Sequence, residues 1–278
     1  MDKPNTIKQP EWENPLRKLY RYPILVIAAL TLLLTFIIEW TSYQALILAI
    51  SISFTVLIVQ IYQSHVRLEK KNKQHKEHIF HLLNTLVPLV EGKSRTTRNE
   101  IHYTSSLMKK LSFTMPEIKV KAWEIELLAL LHYVSRVQWP EYIFEKDERL
   151  THYEFGIVKE HCQLGSKLLG EFTEFNNVKH WFLAHHERID GSGYPKGLKT
   201  NEIPPISQVL GIVETYLAMT SKKPYREALS YEAVISELRN LQDVKFDKHL
   251  IQQFIFIISE DERVGIEKTR LGLISKTG

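Results

Sequence analysis

Residues 181–229 read WFLAHHERIDGSGYPKGLKTNEIPPISQVLGIVETYLAMTSKKPYREAL, and the rest of the chain is best understood by asking what serves this stretch. Two adjacent histidines, His185 and His186, close an apolar run with helical spacing. The turn Asp190-Gly191-Ser192-Gly193-Tyr194-Pro195 follows at once. A second apolar run then leads to the basic segment Lys222-Lys223-Pro224-Tyr225-Arg226. Few soluble domains need this order of parts.

Working outward, the 278 residues allow one good-sized domain plus extras. Only 11 glycines and 11 prolines punctuate the chain, and no alternation of apolar and polar residues persists, so a mostly helical protein is expected. The one cysteine, Cys162, forbids an intrachain disulfide and excludes a Cys-based zinc site. It fits a reducing compartment. A net charge of +4 is too mild to indicate a nucleic-acid partner. The 12 histidines are more informative, because imidazole is the commonest side-chain metal ligand.

Residues 1–21 are polar and basic, with three prolines, and read as a cytoplasmic tail. Residues 22–38 and 44–62 are two almost wholly apolar runs, each near the roughly 20 residues that span a hydrocarbon core. Tyr22, Trp40, Tyr43 and Tyr62 stand at the run ends, where amphipathic rings favour the interface. Arg67, Lys70, Lys71, Lys73 and Lys76 crowd the second outer flank, whereas the joint between the runs carries only Glu39. The expectation is a two-helix transmembrane hairpin over 22–62, multi-pass in the cytoplasmic membrane, with both termini in the cytoplasm. A signal peptide is disfavoured because no small-residue cleavage pattern is present and a second run follows directly. Residues 63–90 read as a connector helix, of a kind that often pairs in a homodimer.

The remainder, 91–278, is expected to be an all-α domain with helices over 97–112, 121–137, 151–170, 174–188, 205–220, 230–240 and 247–258. Thr151, Ser230 with Glu232, and Pro204-Pro205 supply start signals. His102, His132, His161, His185 and His186 fall within or beside the apolar faces of four of these helices. A lone histidine on such a face is usually a satisfied core residue. Five together suggest a metal site, since converging side chains from facing helices are how bundles bind metals.

The run His185-His186-Glu187-Arg188-Ile189-Asp190-Gly191-Ser192-Gly193-Tyr194-Pro195-Lys196-Gly197-Leu198 resembles the signature of the bacterial HD-GYP family nearly letter for letter. The likeness continues through Ile203-Pro204 and Lys223-Pro224-Tyr225-Arg226-Glu227-Ala228-Leu229-Ser230, and covers about residues 90–260. It implies a helical bundle of the HD metal-dependent phosphohydrolase type, whose active members open c-di-GMP by attack of metal-bound hydroxide on phosphorus. The resemblance makes His132 the histidine of the HD pair, and His161, His185 and His186 further metal ligands. His102 resembles the histidine some members use for an additional metal. The resemblance also implies substrate contacts at Arg226, Lys223, Tyr194 and Gly193. The implied cofactor is a divalent transition metal, iron or manganese rather than zinc.

The departures lie among the carboxylates. Tyr133 stands where the family has the aspartate that bridges two metals, and Ser135-Arg136 replaces Gly-Lys. The usual Ala-Asp-x-x-Asp-Ala segment reads Val213-Glu214-Thr215-Tyr216-Leu217-Ala218, so Glu214 is a candidate ligand and Leu217 is not. Arg98 occupies the position where metal-rich members carry a glutamate. A bridging carboxylate offsets the repulsion of two cations about 3.5–4 Å apart, which a phenol with a pKa near 10 does not do at neutral pH. The expectation is therefore one metal ion or none, with catalysis lost or reduced. Such a module would bind c-di-GMP or a related nucleotide, or a signalling partner. The alternative is an active metal-dependent c-di-GMP phosphodiesterase.

Overall fold

The structure is a computed structural model, and it describes residues 21–37, 44–94, 99–222 and 227–270. Residues 1–20 of the expected tail over 1–21, the joint at 39–43, Arg98, Lys223 and Arg226 lie outside the described residues. Eleven α-helices occur in the described residues, and no strands. They are α1 (Arg21–Ile37), α2 (Gln44–Lys93), α3 (Asn99–Phe113), α4 (Ala122–Val134), α5 (Glu141–Glu145), α6 (His152–Lys159), α7 (His161–Leu168), α8 (Asn176–Leu183), α9 (Pro205–Thr220), α10 (Tyr231–Leu241) and α11 (Lys248–Arg270). The chain divides into two compact units, Met1–Glu77 and His78–Gly278, and the division falls inside α2.

In the first unit many of the described apolar side chains face outward. Leu25, Leu32, Leu46, Ile50, Phe54, Leu57 and Ile61 are all exposed. Among the described residues, α2 is the one helix long and apolar enough to cross a membrane, and the apolar stretch of α1, Leu25–Leu34, is shorter.

In the second unit the last turns of α2 bury Ile79, Leu83, Val87 and Val90, one face at helical spacing. Lys93 Nζ closes that end by donating to the Val137 carbonyl at 2.7 Å. Helix α3 packs on α4 and α9. The shared core holds Leu107, Met108 and Leu111 of α3, Leu127, Leu128 and Leu131 of α4, and Val209, Leu210 and Val213 of α9, all fully buried or nearly so. Each such side chain contributes about 1.5–3 kcal/mol relative to exposure. Helix α9 spans the expected 205–220 and begins with Pro205, whose missing N–H costs nothing in a first turn. Thr151 and Ser230 cap α6 and α10 as expected: Thr151 Oγ1 accepts from Glu154 N–H, and Ser230 Oγ from Ala233 N–H.

Two expected helices are shorter than their sequence pattern, and both differences shape the site. The 151–170 helix is interrupted at Glu160, giving α6 and α7. The 174–188 helix ends at Leu183, so His185 and His186 stand in a turn beyond α8 instead of closing it. In each case a histidine ring takes a carbonyl near the break. His161 Nδ1 is 2.6 Å from the Val158 oxygen, and His185 Nδ1 lies against the Phe182 oxygen. Helix α5 was not foreseen, and α4 gives way to a 3₁₀ turn, Ser135–Gln138.

Candidate metal centre

Four of the singled-out histidines meet. His132 comes from the last turn of α4, His161 opens α7, and His185 and His186 follow α8. The His161 and His185 Nε2 atoms are 3.2 Å apart. The His186 ring lies 5.0 Å from that of His161 and 4.1 Å from that of His185, centre to centre. His132 reaches the group from α4, its ring centre 5.6 Å from that of His185. Glu214 arrives from α9, with Oε1 3.1 Å from His132 Nε2 and Oε2 3.6 Å from His186 Nε2.

What brings α9 this close is Gly211, one turn before Glu214. A Cβ there would lie 2.6 Å from the His185 carbonyl oxygen, so only glycine allows the helix to rest on the histidine turn. The same carbonyl accepts from Arg188 Nη1 at 3.1 Å, so the turn's backbone is satisfied from outside it.

The loop after the histidines is held by a residue whose role the sequence did not reveal. Glu187 is 1% exposed, and its carboxylate accepts from the Lys196 N–H at 2.7 Å and the Leu198 N–H at 2.9 Å. Gly193 packs directly on this segment, where a Cβ would sit 2.4 Å from Arg188 N and Glu187 Cα. Tyr194 lays its ring on His186, centres 4.6 Å apart and nearly parallel, with Lys159 Nζ 5.1 Å from the tyrosine ring centre. Gly193 and Tyr194 thus support the histidine turn. At the loop's outer end, Asp190 accepts from Lys245 Nζ at 2.7 Å and from the Ser192 hydroxyl and N–H.

Protonation follows from these contacts. His161 and His185 each point Nδ1 at a carbonyl, which only a ring N–H can satisfy, so in a neutral ring the lone pair is on Nε2. Burial, with His132 nearby, pulls His161 down to about 4. Burial likewise takes His186 to about 3 and His185 well below its ordinary value. These rings are neutral at pH 7. Two Nε2 lone pairs then face each other at 3.2 Å with no proton between them, an arrangement that calls for a cation. Burial works against ionising Glu214, but the His186 and His132 rings facing it outweigh that, and its carboxyl titrates well below the ordinary value. Its Oε2 is buried with no hydrogen-bond partner. Neutral imidazoles and an orphaned carboxylate oxygen are the donor set a divalent transition ion takes.

His102 is exposed on α3 and stands outside the cluster. Cys162 joins it, although the sequence reading put no cysteine near a metal. The donor atoms of His161, Cys162, His185 and His186 lie within 4.8 Å of one another, as do those of His132, His185 and Glu214. Tyr133, where the HD-GYP resemblance leads one to expect an aspartate, is 1% exposed, with the Arg136 guanidinium carbon 5.5 Å from its ring centre. Arg136 is paired with Glu100 Oε1 at 2.5 Å, which offsets the charge it brings toward the site.

The sequence profile of the HD domain family matches residues 81–250. A cyclic di-GMP phosphodiesterase of Thermotoga maritima is 29% identical over 180 residues, which is 64% of this chain and 49% of that protein. The cyclic di-GMP phosphodiesterase PdeB of Borreliella burgdorferi is 34% identical over 139 residues, 50% of this chain and 37% of the relative. A 3'3'-cGAMP-specific phosphodiesterase of Vibrio cholerae is 28% identical over 152 residues, 55% and 35% of the two chains. This chain therefore spans half or less of the length of each of these relatives. With a profile match that takes in all four clustered histidines, the chain belongs to the HD domain family.

Proposed function

We propose that this chain is a membrane-anchored, HD-GYP-like protein of bacterial cyclic-dinucleotide signalling. It binds one divalent transition metal and c-di-GMP or a related nucleotide, with hydrolysis lost or strongly reduced. The observation that carries this is Tyr133: the histidines and Glu214 converge, but a fully buried phenol stands where a second metal needs a bridging carboxylate. In this reading residues 1–21 are a cytoplasmic tail, 22–62 a transmembrane hairpin, 63–90 a connector helix and 91–278 the cytoplasmic domain. The exposed apolar surfaces of α1 and α2 support the hairpin.

His161, His185 and His186 would hold the metal, with Glu214 and His132 on its α9 and α4 sides. A divalent cation here supplies Lewis acidity toward a phosphoryl oxygen and lowers the pKa of water. The chain's own residues do the rest. The Val158 and Phe182 carbonyls fix two ring tautomers, Tyr194 holds the His186 ring, and Glu187 keeps the glycine-rich loop closed. Lys223 and Arg226 are the candidate phosphate contacts, with Arg226 able to offer a bidentate fork. A homodimer or a signalling-protein partner would carry the output.

The second reading is a working c-di-GMP phosphodiesterase, favoured by the activities named for the relatives. One experiment separates the two. The full chain, purified in detergent and loaded with iron or manganese, is incubated with c-di-GMP while binding is measured by titration calorimetry. Binding without pGpG or GMP formation supports the regulatory reading. Turnover at a rate typical of enzymes, on the order of 1 s⁻¹ or faster, supports the second.

A further inference from the structure

Around the histidines one strong ligand type is placed but not used by the reading above. Cys162 is fully buried immediately after His161, its Sγ 3.7 Å from His161 Nε2. It is the only cysteine in the chain. The donor atoms of His161, Cys162, His185 and His186 make one compact group of four, the number that zinc-type sites most often employ.

His132 is drawn away from that group. Its Nδ1 faces Arg136 Nη2 at 3.1 Å, and a guanidinium has only donors, so Nδ1 must accept. The single proton of the neutral ring is then on Nε2, aimed at Glu214 Oε1 at 3.1 Å. A ring nitrogen carrying a proton is no ligand. Arg136, itself anchored on Glu100, thus turns the His132 Nε2 proton onto Glu214 Oε1 and leaves Glu214 Oε2, 3.6 Å from His186 Nε2, as the carboxylate oxygen that faces the histidines. A thiol gives up its proton on coordination, so Cys162 adds an anionic donor that Tyr133 does not.

We propose that Cys162 is a metal ligand, completing with His161, His185 and His186 a site for one thiophilic divalent cation, zinc or iron in preference to manganese. On binding, an Sγ–metal bond forms and one proton leaves Sγ for solvent, and no electron is transferred. Thiolate and imidazole are the ligands that suit zinc and iron, while manganese is served better by carboxylates. The proposal rests on the reading that this chain binds a metal, and it changes which residues do so.

Cobalt(II) tests it without any nucleotide. The full chain, purified in detergent and stripped with a chelator, is titrated with Co²⁺ and followed by absorbance. The expected result is one Co²⁺ per chain with a near-ultraviolet thiolate-to-cobalt charge-transfer band. That band must arise from Cys162 because the chain has no other thiol. Cys162→Ser should abolish the band and weaken binding by about 100-fold or more, since even outer-shell partners are worth about 10–100-fold. The wild-type band alone decides the matter if Cys162→Ser fails to fold. Cobalt bound one per chain without the band overturns the cysteine proposal and leaves the histidine reading standing. No cobalt bound overturns both.

Discussion

Replacing Glu187 by glutamine should destabilise the domain well beyond what a charge change on a surface loop would do. The side chain is 1% exposed and each carboxylate oxygen accepts one backbone N–H, from Lys196 at 2.7 Å and Leu198 at 2.9 Å. A hydrogen bond to a charged acceptor is worth about 1.5–3 kcal/mol. Glutamine keeps one acceptor and sets an NH₂ against the other N–H, so one bond is lost and a donor is left facing a donor. The expected cost is about 2–4 kcal/mol. For a unit of this size each kcal/mol moves Tm by about 2–4 °C, so Tm should fall by roughly 5–15 °C. The assay is a thermal melt of Glu187→Gln and wild type in the same detergent, with amide exchange read at Lys196 and Leu198. If Tm stays within about 1 °C and neither amide exchanges faster, the clamp reasoning is wrong.

Other expectations follow from neighbouring contacts. Gly193→Ala puts a methyl 2.4 Å from two backbone atoms that have no room to yield, so it should cost about 1–3 kcal/mol or more in the same melt. Tyr133→Asp, which restores the family's carboxylate, empties a filled core position and buries a charge; without metal it should lose about 3–5 kcal/mol, and added metal should recover part of this. Saturating metal at about 100 times Kd should stabilise the wild type by about 2.7 kcal/mol, a Tm rise of roughly 5–11 °C that a chelator reverses. Glu154 is held at about 2, mainly by Lys146 and then by the Thr151 N–H. Because the folded value lies below the unfolded one, its contribution is complete above about pH 4.5 and is lost as pH falls toward 2. Amide exchange at the start of α6 should rise over that window in wild type and much less in Glu154→Gln.

Local signals carried much of the fold. Pro205 and the Thr151 and Ser230 caps mark helix starts whose physics is confined to a few residues, and the structure has helices beginning there. Histidines on apolar faces likewise foretold that imidazoles would meet, and four do. What the sequence concealed depends on side-chain contacts that helical spacing does not register, some of them distant in the chain. His185 and His186 read as the end of a helix because they close the apolar run Trp181-Phe182-Leu183-Ala184. The helix ends at Leu183, where the His185 ring takes the Phe182 carbonyl, Arg188 takes the His185 carbonyl, and Gly211 from α9 rests on that same carbonyl. Nothing in the letters of Glu187 distinguishes a loop clamp from a surface acid. Cys162 was discounted by counting cysteines, since a count does not show that α7 opens beside two histidines from elsewhere in the chain. His102 shares the helical spacing of the others but lies on the exposed side of α3.

The interruptions at Glu160 and after Leu183 bear on the order of assembly. Neither contains a glycine or proline that would stop a helix by itself. A peptide of residues 174–190 freed from the domain keeps the local His185 and Arg188 contacts but loses Gly211 of α9, which rests on the His185 carbonyl, and loses His161 as a partner. The Nε2 atoms of His161 and His185 would lose their common focus. On this account the binding geometry belongs to no single segment. It comes into being only when α7, α8 and α9 have closed on one another, so under the proposed function metal capture is a late event in maturation and a sensitive report that the domain is fully formed.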